Sequence, residues 1–323
     1  MNRITEIEIG TARAGILGDP HLGRSFVRGV SLEKRGLREK MMMDDFQQRM
    51  KASGDYDVFI CMGDLFDKWA VPYSVVFKAS WTFFKAARDN PKTHYFILGG
   101  NHDISKDLEK KGALDLFELV VGNMPNVTVI RHDHPQQNFS RGGKRIGFFP
   151  YHPTKPAAEL VTEKIDIAFG HWDTMFGEGN LVPTKELAAA GCEVAYTGHV
   201  HLPDEFTRDG VKVIQVGSMQ PYAHGEDNGE MYVTLYLDEL EGQDLSDKCV
   251  RLRLNPGEQL TDELDCLQLT IQRVGANEEE TDEVTLGDFD LMALFAQAFE
   301  EAGVPEDVRS QIVTRYEEAR VAE

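Results

Sequence analysis

Short apolar runs that end in glycine and a polar residue recur along this chain and constrain its fold more than any other feature. A Gly-Asp, Gly-Asn or Gly-His pair follows each of five such runs, namely AGIL (14–17), DVFICM (57–62), HYFIL (94–98), DIAF (166–169) and EVAYT (193–197). Their length and apolar content predict strands, and patterns with helical spacing over 31–53 and 72–89 separate several of them. Alternating strands and helices predict an α/β fold, whose ligands gather at the carboxyl ends of the strands.

The second half of the chain follows a different pattern. The runs VKVIQV (211–216) and MYVTLYL (231–237) have no long helix between them and predict hairpins, so parallel and antiparallel strands are both expected. A polar linker near residue 240 suggests a boundary. We therefore expect a main domain over 1–240, a small capping domain with two strands over 241–280, and C-terminal helices over 281–323, at 285–302 and 305–321.

Composition and charge narrow the class of protein. The 323 residues are 41% hydrophobic, contain no apolar run of membrane-spanning length, and begin without the apolar core of a signal peptide. The four cysteines form no CxxC pair, which favours reduced thiols and a cytoplasmic protein. Residues 241–323 hold 21 acidic and 7 basic side chains, which accounts for 14 of the 20 net negative charges.

The five strand-end blocks carry the residues with metal-binding chemistry. They supply seven potential ligands: Asp19, His21, Asp64, Asn101, His171, His199 and His201. Residues two apart share a face of an extended segment, so an Asp-x-His or His-x-His pair can bind one ion. Mixed carboxylate, amide and imidazole ligands suit manganese, iron or zinc better than magnesium or calcium alone. Each block alone is ordinary turn chemistry, but all five in order favour two adjacent metal ions that hydrolyse a phosphate ester.

Residues 14–220 resemble the calcineurin-like metallophosphoesterases through the patterns D-x-H, G-D-x-x-D, G-N-H-D/E, G-H and G-H-x-H, all present here. The resemblance implies a four-layer α-β-β-α sandwich, here with a small C-terminal cap and a helical module. It implies two metal sites that share one carboxylate. The first would use Asp19, His21, Asp64 and His201, and the second would use Asp64, Asn101, His171 and His199.

The resemblance also assigns residues that do not bind metal. His102 follows the ligand Asn101 and corresponds to the histidine that protonates the leaving oxygen or stabilises the transition state. Asp67 corresponds to the aspartate paired with that histidine, and Asp103 is expected to accept hydrogen bonds in the turn. Lys68 stands where many phosphatases carry an arginine that grips phosphate, although an exposed lysine without this role explains it equally well.

Within the superfamily the chain is most similar to the SbcD-type DNA-repair nucleases, in particular to phage-encoded members. The similarity is carried by Asp19-Pro-His21-Leu22-Gly23, Gly63-Asp64-Leu65-Phe66-Asp67, Gly170-His171-Trp172-Asp173, Gly217-Ser218-Met219-Gln220-Pro221 and the loop Gly225-Glu226-Asp227-Asn228-Gly229. It implies a manganese-dependent DNA exonuclease and endonuclease, with an SMC-like coiled-coil ATPase of SbcC type as partner and the host cytoplasm as location. Many cellular relatives have histidine at the position of Asp67, which leaves substrate preference open. The alternative is a stand-alone phosphomonoesterase or small-molecule phosphodiesterase with the same core.

Two segments bear on the partners of the chain. Residues 24–40 are rich in lysine and arginine, beginning with Arg24, and follow the first block, as a DNA-guiding loop would; a solvated helix face is an equally good explanation. The pattern 72–89 carries Phe77, Trp81 and Phe84 beside its other apolar positions, which suits either a homodimer contact or core packing. The C-terminal helices either bind the ATPase coiled coil or pack on each other.

Overall fold

The computed structural model describes residues 4–134, 136–175, 179–226, 231–274 and 309. The chain divides into two units: Met1–Leu254 with Gln259–Gln272, and Asn255–Glu258 with Arg273–Glu323. In the second unit, the backbone N–H of Asn255 donates to the Glu258 carboxylate at 2.7 Å and closes a short turn. The helices predicted over 285–302 and 305–321 lie outside the described residues, apart from Arg309.

The described strands and helices alternate through most of the first unit. The strands are β1 (Thr5–Ile9), β2 (Ala12–Leu17), β3 (Val58–Cys61), β4 (His94–Leu98), β5 (Val127–Ile130), β6 (Gln136–Arg141), β7 (Lys144–Phe149), β8 (Ile167–Gly170), β9 (Val194–Thr197), β10 (Asp204–Arg208), β11 (Val211–Gln215), β12 (Tyr232–Tyr236), β13 (Cys249–Leu254) and β14 (Gln268–Arg273). The α-helices are α1 (Leu37–Ala52), α2 (Tyr73–Asp89), α3 (Ala113–Val121) and α4 (Thr184–Ala190). Four 3-10 turns cover Leu32–Lys34, Ser53–Asp55, Ala157–Leu160 and Leu237–Glu239.

The strands form two large sheets and one small sheet. The first has the order β1-β2-β3-β4-β5, with β1 antiparallel and the rest parallel. The second has the order β10-β11-β9-β8-β7-β6, with antiparallel pairs at both edges and a parallel centre. The expectation of mixed parallel and antiparallel pairing is therefore confirmed. The antiparallel pairs β1-β2, β6-β7 and β10-β11 join consecutive strands, whereas the four α-helices lie in connections between parallel strands.

The two large sheets pack face to face and helices cover their outer faces. In β3, Val58 and Ile60 join the cluster between the sheets, while Phe59 and Cys61 point to α1, α2 and α3. A strand buried on both faces reads as a continuous apolar run, which explains the sequence DVFICM. Helix α4 and the turn Ala157–Leu160 cover the second sheet through a separate cluster. The predicted four-layer α-β-β-α sandwich is confirmed.

The helices follow their sequence patterns with one correction. Helix α2 buries positions three or four apart, and its Phe83 ring meets Phe117 of α3 edge to face at 5.1 Å. The predicted helical pattern over 31–53 yields a helix only from Leu37, because Gly36 adopts a left-handed φ of 82° and separates α1 from the short turn Leu32–Lys34.

The third sheet, in the order β12-β13-β14, carries the later predicted strands. Tyr232 and Cys249 of this sheet pack with Leu267 and with Met41 of α1, and Val250, Leu252 and Leu254 of β13 belong to a separate cluster. All four cysteines of the chain are buried thiols. Among the described residues, no helix combines the length and apolar character that crossing a bilayer requires.

Candidate two-metal centre

The seven predicted metal ligands follow strands whose carboxyl ends meet at one edge of the sandwich. Strands β2, β3 and β4 of the first sheet lead into the blocks of Asp19, Asp64 and Asn101. Strands β8 and β9 of the second sheet lead into those of His171 and His199. Because neighbouring parallel strands end at the same level, residues far apart in sequence converge there.

One group of ligand atoms brings together Asp19, His21 and His201, all within 4.8 Å of one another. The Nε2 atoms of His21 and His201 face each other at 3.0 Å, and His21 Nε2 lies 3.7 Å from Asp64 Oδ2. Two imidazole nitrogens beside two carboxylates are a donor set that converges on one point. This group matches the first metal site that the resemblance implies.

A second group combines Asp64, His171 and His199, also within 4.8 Å. The Asn101 amide oxygen lies 3.0 Å from His171 Nε2 and 3.0 Å from His199 Nδ1. Asp64 Oδ2 lies 3.4 Å from His171 Nε2 and also faces His21 of the first group. Asp64 therefore stands between the two groups, as a bridging carboxylate must.

Each of the two buried carboxylates uses one oxygen for the protein and keeps the other for the centre. Asp19 Oδ2 accepts the backbone N–H of His199 at 2.7 Å, and Asp64 Oδ1 accepts that of His102 at 2.9 Å. Asp19 Oδ1 is buried and has no hydrogen-bond partner among the described residues. Such an orphaned carboxylate oxygen is unfavourable unless a cation or proton meets it.

Glycines in the motifs bring the loops close to these carboxylates. A Cβ atom at Gly100 would lie 2.1 Å from Asp64 Oδ1, and one at Gly198 would lie 2.6 Å from Asp19 Oδ1. Neither glycine has a left-handed backbone, so the requirement at both positions is space and not conformation. Gly100 and Gly198 are therefore explained by the close approach of a carboxylate from another strand, which leaves no room for a side chain.

Three of the predicted ligands have a left-handed backbone. In the described part of the chain, the residues other than glycine with positive φ are His21 (45°), Asp64 (46°), His199 (72°) and Asp209 (50°). A side chain in this region costs on the order of 1–3 kcal/mol and persists only where its surroundings enforce it. The hydrogen bond from His21 N to Asp64 O, at 2.9 Å, is one such restraint.

The residues present fit two divalent cations. Four imidazoles, two buried carboxylates and one amide oxygen converge there, and none of the seven side chains is a lysine or arginine. Nitrogen and oxygen ligands in this proportion suit manganese, iron or zinc. One ion would be held by Asp19, His21, Asp64 and His201, and the other by Asp64, Asn101, His171 and His199.

Burial and mutual charge shift the ionisation of the ligands. Burial, assisted by Asp64, raises the pKa of Asp19 to about 7. Burial also lowers the pKa of His21 to about 3 and that of His199 to about 4. Burial alone would lower the pKa of His171, but Asp64 and Asp19 outweigh it and raise that pKa to about 9. The metal-free centre therefore holds protons on Asp19 and His171 that a cation has to displace.

His102 lies beside the centre, where it, His21 and the Asp67 carboxylate offer atoms within 4.8 Å of one another. Its Nδ1 donates to the backbone carbonyl oxygen of Asp67 at 2.6 Å. The Asp67 carboxylate instead faces His21 Nδ1 and Arg24 Nη1, each at 3.7 Å. Asp103 accepts the backbone N–H groups of Leu65, Phe66 and Gly100, and so ties the second block to the third.

The predicted substrate contacts lie at the rim of the centre. Arg24 is about one third exposed and lies over the Tyr222 ring at 5.2 Å, while Lys68 is exposed directly after Asp67. Part of the basic segment 24–40 has a structural role instead. Arg38 is buried and donates to Gln220 and Pro221, and Lys34 binds Asp265 of the loop before β14.

One residue of the site gave no clear signal in the sequence. The hydroxyl of Tyr222 donates to the carbonyl oxygens of Asp19 and Pro20, and its ring meets His21 and His201 edge to face. It supports the first metal group from a loop some two hundred residues away. It lies between two segments that carry the family similarity, 217–221 and 225–229, and belongs to neither.

A family model described as calcineurin-like phosphoesterase matches residues 12–203. A comparison with curated proteins gave no match. Among solved structures, a phosphopantetheinyl hydrolase from Mycobacterium tuberculosis is 15% identical, with a TM-score of 0.38, over 65% of this chain and 93% of that one.

The fold and the convergent ligand set are those of a metal-dependent phosphoesterase. The family match covers more than half of the chain and includes all seven ligands. The chain belongs to the calcineurin-like phosphoesterase family, whose members typically use two divalent metal ions.

The protons on Asp19 and His171 lead to a prediction about metal binding. Both groups are protonated below their raised pKa values, so the affinity for Mn²⁺ should rise with pH through neutrality. The rise should be about tenfold per pH unit for each displaced proton. Calorimetric titration in buffers of different ionisation enthalpy counts the protons released. An affinity that is constant across this range, with no proton release, would contradict the prediction.

Proposed function

We propose that this chain is a two-metal phosphodiester hydrolase that cleaves DNA, as a nuclease subunit of an SbcCD-like recombination and repair complex. The observation that carries the hydrolytic part is the position of Asp64 between two ligand groups, with His102 beside it. Asp64 and the other ligands would hold two cations that supply charge to a bound phosphate, and His102 beside them would donate a proton to the leaving oxygen.

We propose manganese for both metal ions, in line with the mixed ligand set. When bound, two divalent ions lower the pKa of the attacking water and neutralise charge on the phosphate. The protein holds the ligands in place before any ion arrives, through the hydrogen bonds of Asp19 and Asp64 to backbone N–H groups. This preorganisation limits the rearrangement that binding and reaction require.

His102 is proposed as the general acid. A carbonyl oxygen can only accept, so its contact with Asp67 places a proton on Nδ1 and leaves Nε2 to carry the proton for the leaving oxygen. The carbonyl also fixes the orientation of the ring. Asp67 thus supports His102 through its backbone, while its carboxylate lies beside His21 and Arg24.

DNA is proposed as the substrate because basic side chains lie at the rim of the centre. Arg24 lies beside Asp67 and the first metal group, and Lys68 is exposed directly after Asp67; both would bind the phosphates next to the scissile bond. The net charge of −20 opposes binding of a polyanion, but most of it belongs to residues 241–323. An ATPase partner would supply the remaining affinity for the duplex.

Two partners are proposed besides DNA. An SMC-like coiled-coil ATPase of SbcC type would bind the C-terminal helices, whose residues lie outside those described. Absence of such an ATPase after purification of the full chain from its native cell would contradict this. A second copy of the chain would bind the exposed aromatic stripe of α2, namely Tyr73, Phe77 and Trp81, which are 84%, 68% and 50% exposed.

The substrate proposal is tested with purified full-length chain, Mn²⁺, labelled single- and double-stranded DNA, and nitrophenyl phosphate mono- and diesters. We expect cleavage of DNA and of the diester, loss of both with a chelator, and slow turnover of the monoester. Asp64→Asn is the matched control for contaminating nucleases, because it removes the carboxylate shared by both groups. Rapid monoester turnover without DNA cleavage would support a stand-alone phosphomonoesterase instead.

The role of His102 is tested by comparing the effect of its substitution on two substrates whose leaving groups differ in their need for a proton. His102→Ala should bind Mn²⁺ as the wild type does. Its rate of DNA cleavage should fall about 10²- to 10⁴-fold, because an alkoxide leaving group needs a proton. The loss should be much smaller on the bis-nitrophenyl diester, whose phenolate leaves without help. His134→Ala, an exposed histidine, is the control. Equal losses on both substrates would rule out the acid role.

The homodimer is tested by sedimentation velocity at micromolar concentration. The wild type should sediment as a dimer, whereas Phe77→Glu should sediment as a monomer, because it places a charge within the aromatic stripe. Lys51→Glu, an exposed substitution on α1, should leave the dimer intact. A monomeric wild type would refute the homodimer.

A further inference from the structure

The four histidines of the centre share an arrangement that the motifs do not contain. One nitrogen of each ring faces the other ligands, and the second nitrogen faces an oxygen of the protein. For His171 that oxygen is the Met62 carbonyl, 3.0 Å from Nδ1. For His21, His199 and His201 it belongs to a carboxylate: Asp67 at 3.7 Å, Asp173 at 3.8 Å and Glu226 at 3.1 Å, respectively.

Glu226 is itself held in place. Its Oε1 lies 3.1 Å from His201 Nδ1, and its Oε2 accepts the backbone N–H of Tyr222 at 2.8 Å. The Tyr222 hydroxyl in turn donates to the carbonyl oxygens of Asp19 and Pro20. The carboxylate is therefore fixed to the same segment that supports the first metal group, and it is only about one fifth exposed.

Asp173 has a similar position on the second metal group. Its Oδ1 accepts the backbone N–H of Met175 at 3.0 Å, and its Oδ2 lies 3.8 Å from His199 Nε2. Both acids line one open recess together with the two histidines that they face. Since His199 points Nδ1 inwards and His201 points Nε2 inwards, the two rings present opposite nitrogens to the centre.

We propose that Glu226 and Asp173 are positioning residues for the two metal ions, Glu226 through His201 and Asp173 through His199. The inference rests on the two-metal centre of the proposed function. An imidazole that binds a cation through one nitrogen carries its proton on the other, and a carboxylate that accepts this proton fixes the tautomer and the ring orientation. It also makes the metal-facing nitrogen a stronger donor.

The two acids act on different ions, which distinguishes them from residues that merely stabilise the fold. Loss of Glu226 weakens the ion held by Asp19, His21 and His201. Loss of Asp173 weakens the ion held by His171, Asn101 and His199. The effect of Glu226 is the larger one, because it is hydrogen-bonded to its imidazole at 3.1 Å, whereas Asp173 lies 3.8 Å from its imidazole, beyond hydrogen-bond distance.

The test is calorimetric titration of the metal-free full chain with MnCl₂, together with electron paramagnetic resonance of the loaded protein. The wild type should bind two ions with the exchange-coupled signal of a manganese pair. Glu226→Gln should weaken one of the two ions about 10- to 100-fold. At limiting Mn²⁺ it should show the six-line signal of a single ion. Asp173→Asn should weaken the other ion less, and the double variant should weaken both.

Glu241→Gln, an exposed substitution of the same kind, is the control and should change neither ion. The melting temperature of the metal-free protein should be the same in all variants. Unchanged affinity for both ions in Glu226→Gln would overturn the inference. A metal-free Glu226→Gln protein that melts early and loses both ions equally would also overturn it, because the residue would then be structural.

These outcomes are separate from the fate of the proposed function. Two manganese ions that respond as described, in a protein that leaves DNA intact, would support the positioning role and refute the nuclease. DNA cleavage by a wild type whose ion binding is insensitive to both substitutions would support the nuclease and refute the positioning role. Absence of Mn²⁺ binding in the wild type would overturn the inference together with the metal centre.

Discussion

The rest of this structure depends on a buried carboxylate whose two oxygens have different partners: one accepts a backbone N–H, and the other faces the candidate metal centre. Asp19 follows a strand of the first sheet and accepts a backbone N–H from His199 of the second sheet. His171 of the second sheet donates in the opposite direction, to the Met62 carbonyl of the first. These contacts join the two sheets at the edge where the ligands lie. The sheets pack through the apolar cluster between them, and these hydrogen bonds hold the two sheets together at the edge where the centre lies.

Much of the fold and of the candidate site could be predicted from sequence because both follow local rules. A strand buried on both faces is a continuous apolar run, and the blocks after such strands meet at one edge of a parallel sheet. These rules place Asp64 near Asn101 on the first sheet and His171 near His199 on the second, without any knowledge of distance. The same rules do not place Tyr222 or Glu226, because each lies in a loop whose path depends on tertiary contacts.

The sequence was least informative where a residue acts through its backbone and not through its side chain, or where burial changes what a side chain can reach. Asp67 supports His102 with its carbonyl oxygen, a role that any residue type could fill, so residue identity carries no signal for it. The basic segment 24–40 suggested either a DNA-guiding loop or a solvated helix face, but Arg38 is buried against Gln220 and Pro221. Charge counts treat all cations alike, whereas burial decides which of them a ligand can reach.

The left-handed backbone of His21, Asp64 and His199 links ion supply to folding. These conformations cost free energy that the ordered loops alone have to sustain in the metal-free chain. A cation that binds only the folded form adds to its stability by mass action, in proportion to the logarithm of its concentration. The abundance of intact protein in a cell would then follow the local divalent-ion level, so that scarcity of the ion removes the enzyme as well as its activity.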